Sequence, residues 1–223
     1  MPASLRSFSI RLLAMWSVAL AMAMPTVAQL RAPNEHRVAM GHLHYFVDDV
    51  AANRDFWVGL GGSAMPFSAG EAVTMPGVIV LISERTSAAD PSLLDHVAFR
   101  VTSLEAIETL GFELEMIEAY PGIASIYMPS GDRIELFEEG TANNVWFEAD
   151  PDSATPVSER HNEPLRGPID SHHLHFYLPE ADVTAARDWY VETFGAVPGV
   201  RWRYEAADLP GMNLNFSSTG DAR

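Results

Sequence analysis

Apolar and polar positions alternate along this chain in a pattern that returns three times. The first round opens at 40–47 with a strand-like run, His42-Leu43-His44-Tyr45-Phe46-Val47. Asp48-Asp49 supplies N-cap chemistry, and Ala52, Phe56 and Leu60 fall at helical spacing over 50–60 before Gly61-Gly62 stops the helix. Strands follow, the last running from Pro76-Gly77 to Ser83. The third round opens with His173-Leu174-His175-Phe176-Tyr177-Leu178. It continues with Arg187-Asp188-Trp189-Tyr190-Val191 where the first has Arg54-Asp55-Phe56-Trp57-Val58. It closes from Pro210-Gly211 to Ser217. The two rounds lie 131 residues apart at their histidines (42 and 173) and 134 apart at their prolines (76 and 210), a drift too small for chance.

The second round is a shorter relative, about 93–139. His96-Val97-Ala98-Phe99-Arg100-Val101 reads as its first strand. Thr102-Ser103-Leu104-Glu105 is similar to a capping box, Leu104, Ile107 and Leu110 form an apolar stripe, and Gly111 ends the helix. Strands are expected near 112–119 and 123–128. Pro129-Ser130-Gly131-Asp132 then turns the chain into Arg133-Ile134-Glu135-Leu136-Phe137. Each unit is thus strand–helix–strand–strand–strand, and the class is α+β. Residues 140–169, with Asn143, Asn144, Pro151, Pro156 and Pro164, break the pattern and read as a linker before a third unit over 170–223.

Composition narrows the chemistry. Residues 1–28 have the form of a secretory signal. Arg6 and Arg11 precede an apolar stretch, 12–23, too short to span a bilayer comfortably, and Thr26-Val27-Ala28 offers small residues before a cut; an uncleaved anchor is the other reading. The expected location is periplasmic or secreted, with no membrane contact after cleavage. There is no cysteine, so thiolate ligands and thiol nucleophiles are excluded, and histidine and carboxylate oxygen remain as metal ligands. There is no lysine either, which excludes Schiff-base chemistry and a phosphate-loop lysine. A net charge of −16 argues against nucleic acid as a partner.

The repeated unit, the strand-leading histidines and the stretch from Pro129 to Leu136 resemble the vicinal oxygen chelate superfamily, the group of glyoxalases, bleomycin-resistance proteins and extradiol dioxygenases. The resemblance covers about 38–217. It implies that two βαβββ units pair into a cup-shaped sheet of eight strands, with ligands drawn from first and last strands. Residues 38–139 are expected to make that complete domain. Carried over by position, the metal ligands are His42, His96 and Glu135, with Val80 where a fourth ligand would stand and His173 a weaker candidate in the third unit. Two histidines and a carboxylate with open positions suit a divalent ion (iron, manganese, zinc or nickel) that also binds a small-molecule substrate. Without the repeat, each strand histidine would read as an ordinary packed residue.

Other residues take lesser roles. His44 shares a strand face with His42 and is either a base supporting the site or a polar residue filling the cup. Tyr127 is a weak candidate for catalysis. Asp95 is expected on the face opposite His96, and Glu138 and Glu139 at a solvated strand end. The third unit has His173 at a ligand position and Leu214 at the position of Val80, but no fourth unit follows. The expectation is a truncated sequence, or else a homodimer pairing its third units, with His172, His173 and His175 an incomplete site. The resemblance implies ring-cleaving dioxygenase or glyoxalase-like lyase chemistry. Export away from the glutathione pool weighs against a glutathione-dependent lyase. The other class of function is a non-catalytic small-molecule sequestering protein of the bleomycin-resistance type.

Overall fold

A computed structural model describes residues 30–87, 92–138, 147–149, 165, 167–201 and 204–221. The signal-like segment and most of the 140–169 stretch lie outside the described residues. Each repeat folds as its pattern predicts. The first comprises β1 (His42–Val47), α1 (Val50–Gly59), β2 (Ser63–Met65), β3 (Glu71–Met75) and β4 (Val78–Glu84). The second comprises β5 (Leu94–Val101), α2 (Leu104–Thr109), β6 (Glu115–Met116), β7 (Ile123–Tyr127) and β8 (Arg133–Glu138). A short strand, β9 (Phe147–Ala149), falls inside the expected linker. The third repeat has β10 (Ile169–Leu178), α3 (Val183–Phe194), β11 (Val197–Arg201), β12 (Tyr204–Leu209) and β13 (Met212–Ser218). No helix among the described residues is long and apolar enough to cross a membrane.

The helix ends follow local chemistry. Asp49 caps α1, its carboxylate accepting from the Ala52 N–H at 2.9 Å. Ser103 caps α2 through the Ala106 N–H at 3.1 Å. Ser103 rather than Thr102 is the N-cap, and the first helical N–H is met from outside the helix: Glu138, expected in solvent, accepts from the Leu104 N–H at 3.0 Å and ties α2 to β8. Gly195 ends α3 with φ at +65°, a conformation glycine adopts without strain. The α1 stripe is rotated by one position. Asn53 and Trp57 are fully buried, while Phe56 rests half-buried against Phe112. Leu110 is exposed, because α2 is only long enough to bury Leu104 and Ile107.

Pairing of the repeats differs from expectation. The second joins the third, not the first. Strands run in the order β6-β7-β8-β5-β10-β13-β12-β11-β9, with β5 and β10 antiparallel at the centre. The complete two-repeat unit is therefore built from the second and third repeats, not from 38–139. The first repeat keeps its own four-stranded sheet, β1-β4-β3-β2. It packs through α1 on the outer face of β5, where Trp57 meets Phe99 at 5.7 Å between ring centres within one shared core. Both β1 and β10 carry the His-Leu-His pattern, so either could pair with β5. The ten-residue β10 offers a longer ladder than the six-residue β1. Because β10 has β5 on one side and β13 on the other, it has no edge left for pairing third repeats between chains.

Register also corrects the expected ligand columns. Glu135 lies beside Ala98 in the β5–β8 ladder. The equivalent pairs are His44 with Leu81 in the first repeat and His175 with Asn215 in the third. Leu81 and Asn215 therefore stand where Glu135 stands, and Val80 and Leu214 are core residues of the opposite face.

Candidate functional site

Strand alternation turns one face of the β5–β10 seam into the floor of a cavity. His96 on β5, Glu135 on β8, and His173 and His175 on β10 all line it. His96 Nε2 lies 3.1 Å from His173 Nε2 and 3.3 Å from Glu135 Oε1, and His173 Nε2 lies 3.7 Å from the same oxygen. Atoms bound about 2.1 Å from one ion sit about 3.0 Å apart at octahedral angles and about 3.4 Å apart at tetrahedral ones. This triangle is of that size. A second triplet, His96, His173 and His175, has ligand atoms within 4.8 Å of one another and could hold a metal ion. The first triplet is tighter, and His175 Nε2 is already engaged by Ser217 Oγ at 2.7 Å.

Of the predicted ligands, the structure brings His96 and Glu135 together and adds His173. His42 does not reach them; it lies on β1 in the separate sheet, exposed. His44 lies there too, its Nε2 2.9 Å from Ser83 Oγ and its ring stacked on Phe46. Tyr127 is half exposed at the end of β7 and outside the cavity lining. A hydrogen bond with Glu115 is the main cause that raises its pKa.

The surroundings set the protonation of each group. Burial works to lower the His96 pKa, but Glu135 and Asp95 outweigh it and raise it. Burial works to raise the Glu135 pKa, yet His96, Arg133 and Arg201 hold it below the usual range. Burial lowers His173 well below an ordinary imidazole, with Arg201 and the neighbouring histidines adding to the effect. It likewise takes His175 to about 3. His173 and His175 are thus neutral, the form that binds metal.

Asp95 departs from its expected place. Near the start of β5 its carboxylate curls back to His96 Nδ1 at 2.6 Å and also accepts from Arg133. Burial opposes ionisation there, but the His96 and Arg133 hydrogen bonds bring its pKa down to about 2. Where Asp95 holds the Nδ1 proton of His96, Nε2 is a lone pair facing the cavity; the Arg133 guanidinium, which also touches Nδ1, favours the other tautomer. His173 is held differently. Its Nδ1 accepts from Arg201 at 2.6 Å, which puts its own proton on Nε2, yet His172 Nδ1 stands 2.9 Å from the same atom. His172 Nδ1 can thus accept a hydrogen bond from His173 Nδ1–H in the other tautomer, and the donor set fits a divalent ion once the His173 proton sits on Nδ1.

Two features were invisible in the sequence. The β-bulge between Ser171 and His173 lets consecutive histidines, 172 and 173, both approach Phe137. The cavity wall of Tyr120, Tyr177, Tyr204 and Arg201 comes from segments far apart in the chain. Asn215 was legible in principle, since the Pro76–Pro210 alignment places it opposite Leu81. It is buried against the cavity, and its Oδ1 has no hydrogen-bond partner.

No protein-family model and no curated protein matches the chain. Solved structures do. A possible glyoxalase from Bacillus cereus is 22% identical, with 45% of this chain and 98% of that one covered, at a TM-score of 0.37. For lactoylglutathione lyase from Agrobacterium tumefaciens the figures are 17%, 45%, 92% and 0.35. For TnmS3, an antibiotic binding protein from Streptomyces sp. CB03234, they are 17%, 45%, 95% and 0.38. In this chain's own topology, two βαβββ units meet at their first strands, and their shared inner face gathers first-strand histidines and a last-strand glutamate. The chain has the fold of the vicinal oxygen chelate superfamily, with its cup formed by the second and third repeats.

Proposed function

We propose that this protein binds a divalent metal ion through His96, Glu135 and His173 and uses it to chelate a small substrate by vicinal oxygens. The observation that carries the reading is the triangle of two imidazole nitrogens and one carboxylate oxygen, 3.1, 3.3 and 3.7 Å on its sides, at the floor of a cavity. A bound ion there supplies Lewis-acid stabilisation of negative charge on substrate oxygen. The chain's own groups do the rest. Asp95 fixes the His96 ring, and His172 Nδ1 can accept a hydrogen bond from His173 Nδ1–H in the tautomer that leaves Nε2 free. Tyr120, Tyr177 and Tyr204 offer aromatic surface to a planar substrate and exclude water, and the Asn215 Oδ1 offers an acceptor to a substrate hydroxyl. His175, with a pKa near 3, is too weak a base to abstract a proton at neutral pH. The metal is drawn from iron, manganese, zinc and nickel, and export is part of the proposal.

One observation favours a second reading, a sequestering protein without turnover. Arg201 at 2.6 Å from His173 Nδ1 stabilises the tautomer that does not ligate metal and puts a positive charge beside the cavity. A cavity so arranged would hold an anionic ligand instead. Metal analysis of the purified protein beside Glu135→Gln separates the two. The enzyme reading expects near-stoichiometric metal and an affinity at least about tenfold weaker in the variant, since even groups behind metal ligands carry about that much. Unchanged affinity would remove Glu135 from the site, and no metal after reconstitution would leave the sequestering reading.

A further inference from the structure

Both imidazoles of the proposed metal triangle meet an arginine at the nitrogen turned away from it. Arg133 touches Nδ1 of His96, and Arg201 donates to Nδ1 of His173 at 2.6 Å. A guanidinium only donates, so each contact favours the tautomer with its proton on Nε2, the one that does not ligate through that atom. The two arginines differ in their settings. Arg133 is 27% exposed and shares the Asp95 carboxylate with His96. Arg201 is 2% exposed at the end of β11, where alternation turns Val200 outward and Arg201 into the cavity. Its guanidinium lies over the Phe137 ring, 5.2 Å from the ring centre, which keeps it in the cavity wall.

Ligation through His173 Nε2 sets these groups against each other. The His173 proton then stands on Nδ1, and two donors, that N–H and the Arg201 N–H, face one another where a hydrogen bond had been. His172 Nδ1, 2.9 Å from the same atom, is there to accept from His173 instead. Glu135 changes as well. Its carboxylate lines the same cavity as Arg201, and coordination spends that negative charge on the ion. Loading the triangle therefore takes from Arg201 an acceptor and the effect of a nearby negative charge, in a water-poor site where both count. The wall beside it suits a planar acid: Tyr204 pairs with Arg201 in the β11–β12 ladder and lines the cavity with it.

We propose that Arg201 determines specificity: when the triangle is loaded, its N–H passes from His173 to a carboxylate on the substrate, so that the cup takes an anionic chelator and takes it tightly only with metal in place. This rests on the metal reading above and adds the substrate's charge to it. The two ligands are linked. Metal removes a competitor for the guanidinium, and the anion removes the bond that opposes metal, so each strengthens the other by the same factor. The sequestering reading expects the reverse, an anion held by the metal-free cup.

Calorimetric titration of the full chain, metal-free and zinc-loaded, with catechol, 2,3-dihydroxybenzoate and 3,4-dihydroxybenzoate tests it. The three probes present the same vicinal oxygens, and zinc, having no redox chemistry, keeps turnover out of the measurement. At least one of the acids should bind the zinc-loaded chain about tenfold or more tighter than catechol, the scale of one hydrogen bond to a charged group. The metal-free chain should bind that acid at least about tenfold more weakly, and the acid should raise zinc affinity by the same factor. Arg201→Met should erase the preference for the acid while zinc affinity holds or rises, because the bond that opposes ligation is gone; a packing defect would lower both. Arg201→Lys, the milder change for folding, should keep zinc and weaken the preference. Equal binding of acid and catechol by the zinc-loaded chain, equal binding of the acid with and without zinc, or a preference that survives Arg201→Met overturns the proposal. A chain that takes up no zinc on reconstitution overturns the metal reading itself, and this proposal with it.

Discussion

The first and third repeats carry nearly the same side-chain arrangement and end in different circumstances. Arg54 donates to Asp55 and Glu71, as Arg187 donates to Asp188 and Glu205. His44 meets Ser83 on the last strand of its sheet, as His175 meets Ser217. Yet His173 and His175 are buried in a cavity, while His42 and His44 face outward. The difference lies in the neighbour each first strand has. β10 is completed by β5, which brings His96 and, beside it, Glu135; β1 is completed by nothing within the described residues. One repeat brings its own histidines to one strand face, and the buried histidine–carboxylate cluster appears only where a second repeat is laid against it.

The sharpest way to separate the two repeats is at their helices. Trp57 and Tyr190 hold equivalent positions, but Trp57 is fully enclosed between repeats and Tyr190 only partly covered. Trp57→Ala should cost about 3–5 kcal/mol, as large core truncations do, and Tyr190→Ala clearly less. Urea unfolding of both variants checks the ranking, and equal losses would mean that the first repeat is not anchored through α1.

The metal-free cup should also be the acid-sensitive half. His173 and His175 have folded pKa values below the unfolded one of about 6.5, so the unfolded chain binds more protons as pH falls. Each contributes a loss of up to about 1.4 kcal/mol for every pH unit below 6.5, continuing for His175 toward about 3. His96, with a raised pKa, works the other way: its contribution is present below 6.5 and lost as pH rises through its folded value. Asp95 adds stability above 3.8 that disappears as pH falls through about 2. Unfolding followed across pH 4–7 should show falling stability toward acid, and a His175→Asn variant a shallower slope. A slope unchanged in that variant would mean that His175 is not held neutral.

The smallest contrast is the ion pair repeated in both units. Arg54–Glu71 is about a third exposed on each side, and Arg187–Glu205 is somewhat more covered. Glu71→Gln should change stability by less than about 1 kcal/mol, and Glu205→Gln by the same or slightly more. A larger effect at Glu71 would reverse the order that exposure predicts.

Much of the fold was legible because periodicity and punctuation are local. Strand alternation, the Asp49 and Ser103 caps and the glycine stops set the βαβββ unit and its threefold return. The approach of His96 and Glu135 was readable because their positions follow from strand order within one repeat. His42 was expected beside them and lies apart for the reason that makes the repeats recognisable: β1 and β10 carry the same His-Leu-His pattern, and it is β10 that pairs with β5. Asp95 was put on the wrong side because alternation describes strand interiors, and near the strand's start a short carboxylate can fold back.

The amino-acid sequence by itself determined the repeated unit, the absence of thiolate and lysine chemistry, and the histidine–carboxylate inventory from which any site must be drawn. Those are properties of composition and of contacts within a few dozen residues. Only the tertiary structure decided which two repeats share a sheet, and with that which histidines converge, that Asn215 and Arg201 face the cavity, and that β1 pairs with β4 alone among the described residues. Pairing between distant strands depends on ladder length and on the face each repeat buries, and neither is written in any one segment.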